Sequence, residues 1–94
     1  MKIFVNLYSS KSGEIKRFLS SFYSSPNFSL SNDLKWEHSY ENPIEVSDII
    51  GTFIDNEDKY DINMWVCLDE NVFINITPTN SNNIIRYLFE RYPY

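Results

Sequence analysis

Between Ile62 and Thr77 the apolar positions fall into two alternating runs separated by Asp69-Glu70-Asn71. Ile62, Met64, Val66 and Leu68 share one face of the first run. Val72, Ile74 and Ile76 share one face of the second, because successive strand side chains point to opposite sides. A three-residue loop sets Leu68 opposite Val72, Val66 opposite Ile74 and Met64 opposite Ile76, which joins the two apolar faces. A two-residue loop would set Leu68 against Phe73 and turn one face the wrong way. The pattern predicts a β-hairpin with Asn71 in the left-handed position of its loop. The second face of this hairpin carries Trp65, Cys67 and Phe73, so it is either covered as well or exposes an apolar patch.

Upstream, Ile3, Val5 and Leu7 alternate with Phe4, Asn6 and Tyr8, which predicts a strand buried largely on both faces. Ser9-Ser10-Lys11-Ser12-Gly13 breaks it, with Ser12 as the expected cap of a helix and Glu14 in its positive first turn. Ile15, Phe18, Leu19, Phe22 and Tyr23 then recur at helical spacing, and Ser25-Pro26 ends the helix. Residues 26–33 form the longest irregular stretch, the expected mobile loop. Leu34, Trp36, His38 and Tyr40 alternate with Lys35, Glu37, Ser39 and Glu41, a strand with one wet face that belongs at an edge.

Asn42-Pro43-Ile44-Glu45 carries a cap, a first-turn proline and a capping-box acid in sequence. The helix it starts has Val46, Ile49, Ile50, Phe53 and Ile54 on one side. Gly51 inside it suggests close approach to the sheet. After the hairpin, Asn80 or Ser81 caps a third helix with Ile84, Ile85, Leu88, Phe89 and Tyr92 as its apolar set, stopping before Pro93.

The resulting order is β-α-β-α-β-β-α in a single α/β domain spanning 1–94, with a four-stranded mixed sheet and three helices. A helical crossover between the first two strands favours their parallel pairing. An α+β, ferredoxin-like two-layer sandwich is the alternative architecture. The element order resembles the thioredoxin-like core, which implies strand order second-first-third-fourth and helices on both faces. Ser9-Ser10-Lys11-Ser12 stands where that family carries Cys-x-x-Cys, and Tyr60-Asp61 stands where it carries a proline. Hydroxyls cannot perform thiol–disulfide exchange, so redox activity is not carried over.

Composition narrows the function classes. The chain has 94 residues, 43% hydrophobic and 17% aromatic, a proportion suited to a packed core. It contains no Ala and no Gln, a bias that fits AT-rich coding in a low-GC bacterial or phage genome. Net charge is −5, which repels phosphate backbones and argues against nucleic acid. The acids concentrate in Glu41, Glu45, Asp48, Asp55, Glu57, Asp58 and Asp61. A single cysteine suits a reducing, cytoplasmic setting. No apolar run reaches the roughly 20 residues of a membrane span, and Met1–Tyr8 is too short for a signal peptide.

No catalytic, cofactor-binding or metal-binding set emerges. Cys67 and His38 fall on strands that the expected order separates by about 10 Å, beyond catalytic contact. The acids of residues 55–61 lack calcium-loop spacing, and one Cys with one His makes no zinc set. Ser9–Gly13 could bind an anion at a helix start, although capping explains it. The surplus is aromatic. Trp36, Tyr40, Trp65, Tyr92 and Tyr94 are the candidate partner-binding residues, since Tyr and Trp dominate binding hot spots. The expectation is a small acidic, non-catalytic protein-binding or inhibitor-like module whose partner has a basic surface. Two alternatives accompany it. One is a degenerate thioredoxin-like scaffold, without redox site, binding a small ligand beside Ser9–Gly13. The other is a homodimer built through the uncharged Val72–Thr77 edge.

Overall fold

β1 (Ile3–Tyr8) is the strand on which the domain is assembled. It pairs with β2 (Lys35–Tyr40) on one side and β3 (Asn63–Leu68) on the other, and β4 (Val72–Asn75) completes the order β2-β1-β3-β4. Three helices, α1 (Glu14–Phe22), α2 (Pro43–Asp55) and α3 (Ser81–Arg91), fill the expected places between and after the strands. This computed structural model describes residues 2–23, 33–68 and 71–92. Residues 26–32 of the irregular stretch, and Asp69 and Glu70 of the hairpin loop, lie outside the described residues, while Asn71 is an exposed turn residue directly before β4.

The hairpin register is the one its apolar faces demand: Leu68 lies opposite Val72 and Val66 opposite Ile74. The Ile76 N–H donates to the Met64 carbonyl at 2.9 Å, extending the ladder one step past β4. The expected parallel pairing of the first two strands does not occur. Every neighbouring pair is antiparallel, so the sheet is antiparallel throughout and not mixed.

Two contacts explain the difference. The Tyr23 hydroxyl meets that of Tyr40 at 2.7 Å, and Tyr40 pairs with Ile3, so α1 runs back to the start of β1. The Ser9 N–H donates to the Leu34 carbonyl at 2.9 Å, so β2 begins where β1 ends. Tyr23 and Leu34 therefore lie at opposite ends of β1, a separation within the roughly 36 Å that eleven residue steps can reach. The parallel crossover falls one unit later. β2 and β3 both oppose β1 and so run in the same direction, with β1 between them and α2 as the connection, a split β-α-β unit. At 13 residues α2 is about 20 Å long, matching the height of a six-residue strand.

All three helices pack on one face of the sheet. Ile3, Val5 and Leu7 of β1 and Met64, Val66 and Leu68 of β3 form one core cluster with Ile15, Phe18 and Leu19 of α1, Val46, Ile49, Ile50 and Phe53 of α2, and Leu88 of α3. The helices that the thioredoxin-like resemblance implies on the opposite face are absent among the described residues. The architecture is a two-layer sandwich with one open sheet face.

Local chemistry sets the helix ends. The Asn42 side chain accepts from the Glu45 N–H at 3.1 Å, as the cap pattern requires. Ser12 does not cap α1. Gly13 occupies that position at φ 85°, and the Ser12 hydroxyl instead donates to Asp33 at 3.2 Å. Asn80 precedes α3 but turns its side chain back, accepting from the Thr77 N–H and donating to the Asn75 carbonyl at 2.8 Å. Gly51 does not permit a close approach, since a Cβ there would meet nothing within 4 Å.

The two glycines should therefore respond oppositely to alanine. Gly13→Ala forces a side chain into left-handed backbone and should cost about 1 kcal/mol. Gly51→Ala adds a methyl in open space within a helix and should stabilise by about 0.8 kcal/mol. Urea unfolding midpoints of both variants check the pair of signs.

Candidate functional site

The strand registers lay out the open face as a grid. One row runs Ser39, Phe4, Cys67 and Phe73 across β2, β1, β3 and β4. The next runs Glu37, Asn6, Trp65 and Asn75, and a third runs Lys35, Tyr8 and Asn63. Diagonal neighbours on a sheet face sit about 7–8 Å apart, within reach of aromatic side chains. Phe73, Trp65 and Tyr8 form such a diagonal over three strands, and they are 59%, 36% and 40% exposed. Leu34, Ile44, Val72 and Tyr87 are also exposed, but single exposed apolar residues are ordinary and a contiguous set is not.

Beside the ridge the surface sinks. Asn6 is 8% exposed and Cys67 6%. A hollow of about 400 Å³ is lined by Asn6, Tyr8, Trp65 and Phe73. A second, of about 190 Å³, is lined by Phe4, Asn6, Glu37, Cys67 and Phe73. With its amide nitrogen toward β2, Asn6 donates to Glu37 Oε2 at 3.2 Å and to the Val5 carbonyl at 3.3 Å. A buried amide held this way fixes the Glu37 carboxylate at the rim of the hollow.

The sequence-derived candidates scatter over both layers. Trp65 lies at the centre of the diagonal. Trp36 is half-buried on the helix-side face and stacks on His38, with ring centroids 5.5 Å apart. Tyr40 and Tyr92 are core residues, so neither is available to a partner: Tyr40 packs beside Ile3 with its hydroxyl on Tyr23, and Tyr92 closes the core after α3. Tyr94 lies outside the described residues. Tyr8 was missed, although its parity with Phe4 and Asn6 put it on the same face as Trp65 and Phe73 once antiparallel registers were assigned.

Cys67 and His38 point to opposite sides of the sheet with β1 between their strands. Burial raises the Cys67 thiol pKa, and the Glu37 charge raises it further. Both disfavour the thiolate that nucleophilic chemistry requires. The serine turn is already occupied by an acid of the chain itself. Asp61 accepts from the Ser10 N–H at 3.2 Å and from the Ser10 hydroxyl, while its own N–H donates to Glu14 at 3.3 Å. Glu14 in turn pairs with Arg17 at 2.6 Å, and the Arg17 guanidinium lies 5.6 Å from the centre of the Tyr60 ring. This network ties the β1–α1 turn to the lead-in of β3, where an external anion would have to displace Asp61.

Among the described residues no three His, Cys, Asp or Glu side chains are grouped to hold a metal ion, and no helix is long and apolar enough to cross a membrane. No family model, curated protein or solved structure matches the chain.

The raised thiol carries a pH signature. The unfolded chain releases the Cys67 proton near the ordinary value of 9.0, whereas the folded chain holds it to higher pH. Stability present below pH 9 is therefore lost as pH rises through the folded value. Tyr40, also raised, by burial first and then by the Tyr23 hydroxyl, adds a further loss above its ordinary 10.0. Urea unfolding between pH 7 and 11 should show declining stability, and Cys67→Ala should flatten the lower part of that decline.

Proposed function

We propose that this chain is a non-catalytic protein-binding module and that the open face of its sheet is the docking surface. The observation that carries the proposal is the aromatic diagonal Tyr8–Trp65–Phe73, exposed on the face left free by all three helices. Large rings on a rigid strand lose little conformational freedom on binding and supply most of the energy at protein interfaces. The flanking Asn6–Glu37 pair gives polar direction to an otherwise apolar surface. The protonated, buried Cys67 thiol and its separation from His38 favour binding over nucleophilic catalysis. A reducing, cytoplasmic setting accords with this lone thiol.

The acids favour a second reading, a partner with a basic surface that lands on the helix layer. Glu45, Asp48, Asp55, Glu57 and Asp58 are all exposed on α2 and the turn that follows it. They would accelerate encounter with a cationic protein.

Affinity capture from a native host extract, repeated with two variant sets, separates these surfaces. The pair Trp65→Ala and Phe73→Ala should cost any captured partner at least tenfold in affinity, while Asp48→Asn with Asp55→Asn should leave it within about threefold. The reverse pattern, with steep weakening in salt, would move the interface to the helix layer and overturn the open-face assignment.

A further inference from the structure

We infer that the occupant of the open face is a second copy of this chain, with two sheets stacked face to face. This inference rests on the docking role proposed above and names the partner. Charge is the first ground. The chain carries net −5, yet the charged side chains among the described residues of the open-face grid are Lys35 and Glu37, one of each sign. The open face is neutral, and the exposed acids of α2 and its following turn lie on the opposite layer. Face-to-face stacking therefore holds the acidic layers of the two copies furthest apart. With a helix layer about 10 Å behind each sheet, they are separated by more than the ~8 Å screening length of physiological salt. A basic partner finds no such match here, because Lys35 offsets Glu37.

The second ground is self-complementarity. Lys35 and Glu37 stand two residues apart on the same face of β2, so a two-fold axis lets Lys35 of each copy meet Glu37 of the other. The same axis sets Tyr8 of one copy over the recessed Asn6 of the other, and Trp65 over Asn63. Sheets stack about 10 Å apart with strands near −30°, the spacing at which inward side chains interdigitate.

The β4 edge is a poorer meeting place. The Ile76–Met64 hydrogen bond fixes the alternation, so Phe73 and Asn75 turn their backbone groups outward. Asn80 already donates to the Asn75 carbonyl. Four residues with one end covered is a blunted edge. The open face itself measures about 19 by 20 Å from strand spacing and rise, a footprint at the low end for protein interfaces, so the expected dimer is a weak one.

Sedimentation equilibrium from 1 μM to 1 mM should show a monomer–dimer equilibrium with a midpoint of tens of micromolar that moves less than threefold between 50 and 500 mM salt. Tyr8→Asp, on the strand furthest from the β4 edge that still carries the diagonal, should weaken the dimer at least tenfold. Lys35→Glu should weaken it, and Lys35→Glu combined with Glu37→Lys should restore it. Urea midpoints of these surface variants confirm that each remains folded. A monomer at 1 mM overturns the inference, as does a dimer indifferent to Tyr8→Asp. A heterologous protein that binds the monomer and is lost with Trp65→Ala also overturns self-association, while leaving the open face as the docking surface.

Discussion

The central position of β1 is the constraint from which the rest of the structure follows. A strand paired on both edges has no freedom of register, and its alternation commits Ile3, Val5 and Leu7 to one face and Phe4, Asn6 and Tyr8 to the other. The first set is fully buried beneath three helices. The second has only its strand neighbours for cover. Each helix has one apolar stripe, and all three stripes are spent on the same side, so among the described residues no helix closes the other face. An antiparallel sheet tolerates this arrangement, since one of its faces can meet water. Cys67 and Asn6 are recessed there among the adjacent side chains, which gives the open face its alternation of projecting rings and recessed small groups.

Much of this was legible in the chain. The Ile62–Thr77 alternation fixed hairpin register and loop length together, because any other pairing would have turned Val72, Ile74 and Ile76 to the wrong side. Asn42-Pro43-Ile44-Glu45 marked the start of α2, where Asn42 caps the Glu45 N–H, Pro43 takes the first turn and Glu45 puts an acid there. The direction of β2 was not legible from periodicity. Alternation assigns residues to faces and is blind to the sense in which a strand runs. The relevant signal was length: the stretch from Tyr23 to Leu34 is long enough to recross the domain, which a direct parallel crossover would not need. Asn80 holds the N-cap position of α3 as expected and Ser12 does not hold that of α1, but the side chains of both turned away from the helix for a related reason. A short polar side chain satisfies whichever backbone or carboxylate is nearest, and tertiary neighbours at Asp33, Thr77 and Asn75 outcompeted the helix ends.

The binding candidates show the same limit. Abundance of aromatic residues says that some are in excess of core needs without saying which. Tyr40 and Tyr92 resemble surface hot-spot residues in sequence, yet each has a buried ring. For Tyr40 the Tyr23 hydroxyl satisfies the phenol, so burial carries no unpaired polar group. Trp65 and Phe73 were identifiable as a shared second face of the hairpin. Tyr8 joins them only when the registers of β1 with β2 and β3 are known, so the site is a property of strand pairing more than of any segment.

Charge and apolar surface are segregated between the two layers, and that segregation decides how an acidic protein can associate at all. The Asp61 carboxylate is held by hydrogen bonds from the Ser10 turn and Glu14 is paired with Arg17, so both acids near the end of β1 already have partners within the chain. The remaining exposed acids are concentrated on α2 and its exit, where mutual repulsion is screened by water and the sheet is furthest away. The sheet face is left with one cation, one anion and a ridge of rings. An interface there gains from desolvating the rings without desolvating the acidic helix layer, whereas an interface on the helix layer must strip water from several carboxylates for each contact it makes. The open face is therefore where association costs the least in electrostatic terms, whichever protein supplies the opposing surface. Its neutrality, in a chain of net −5, is what lets an identical and equally acidic copy approach there.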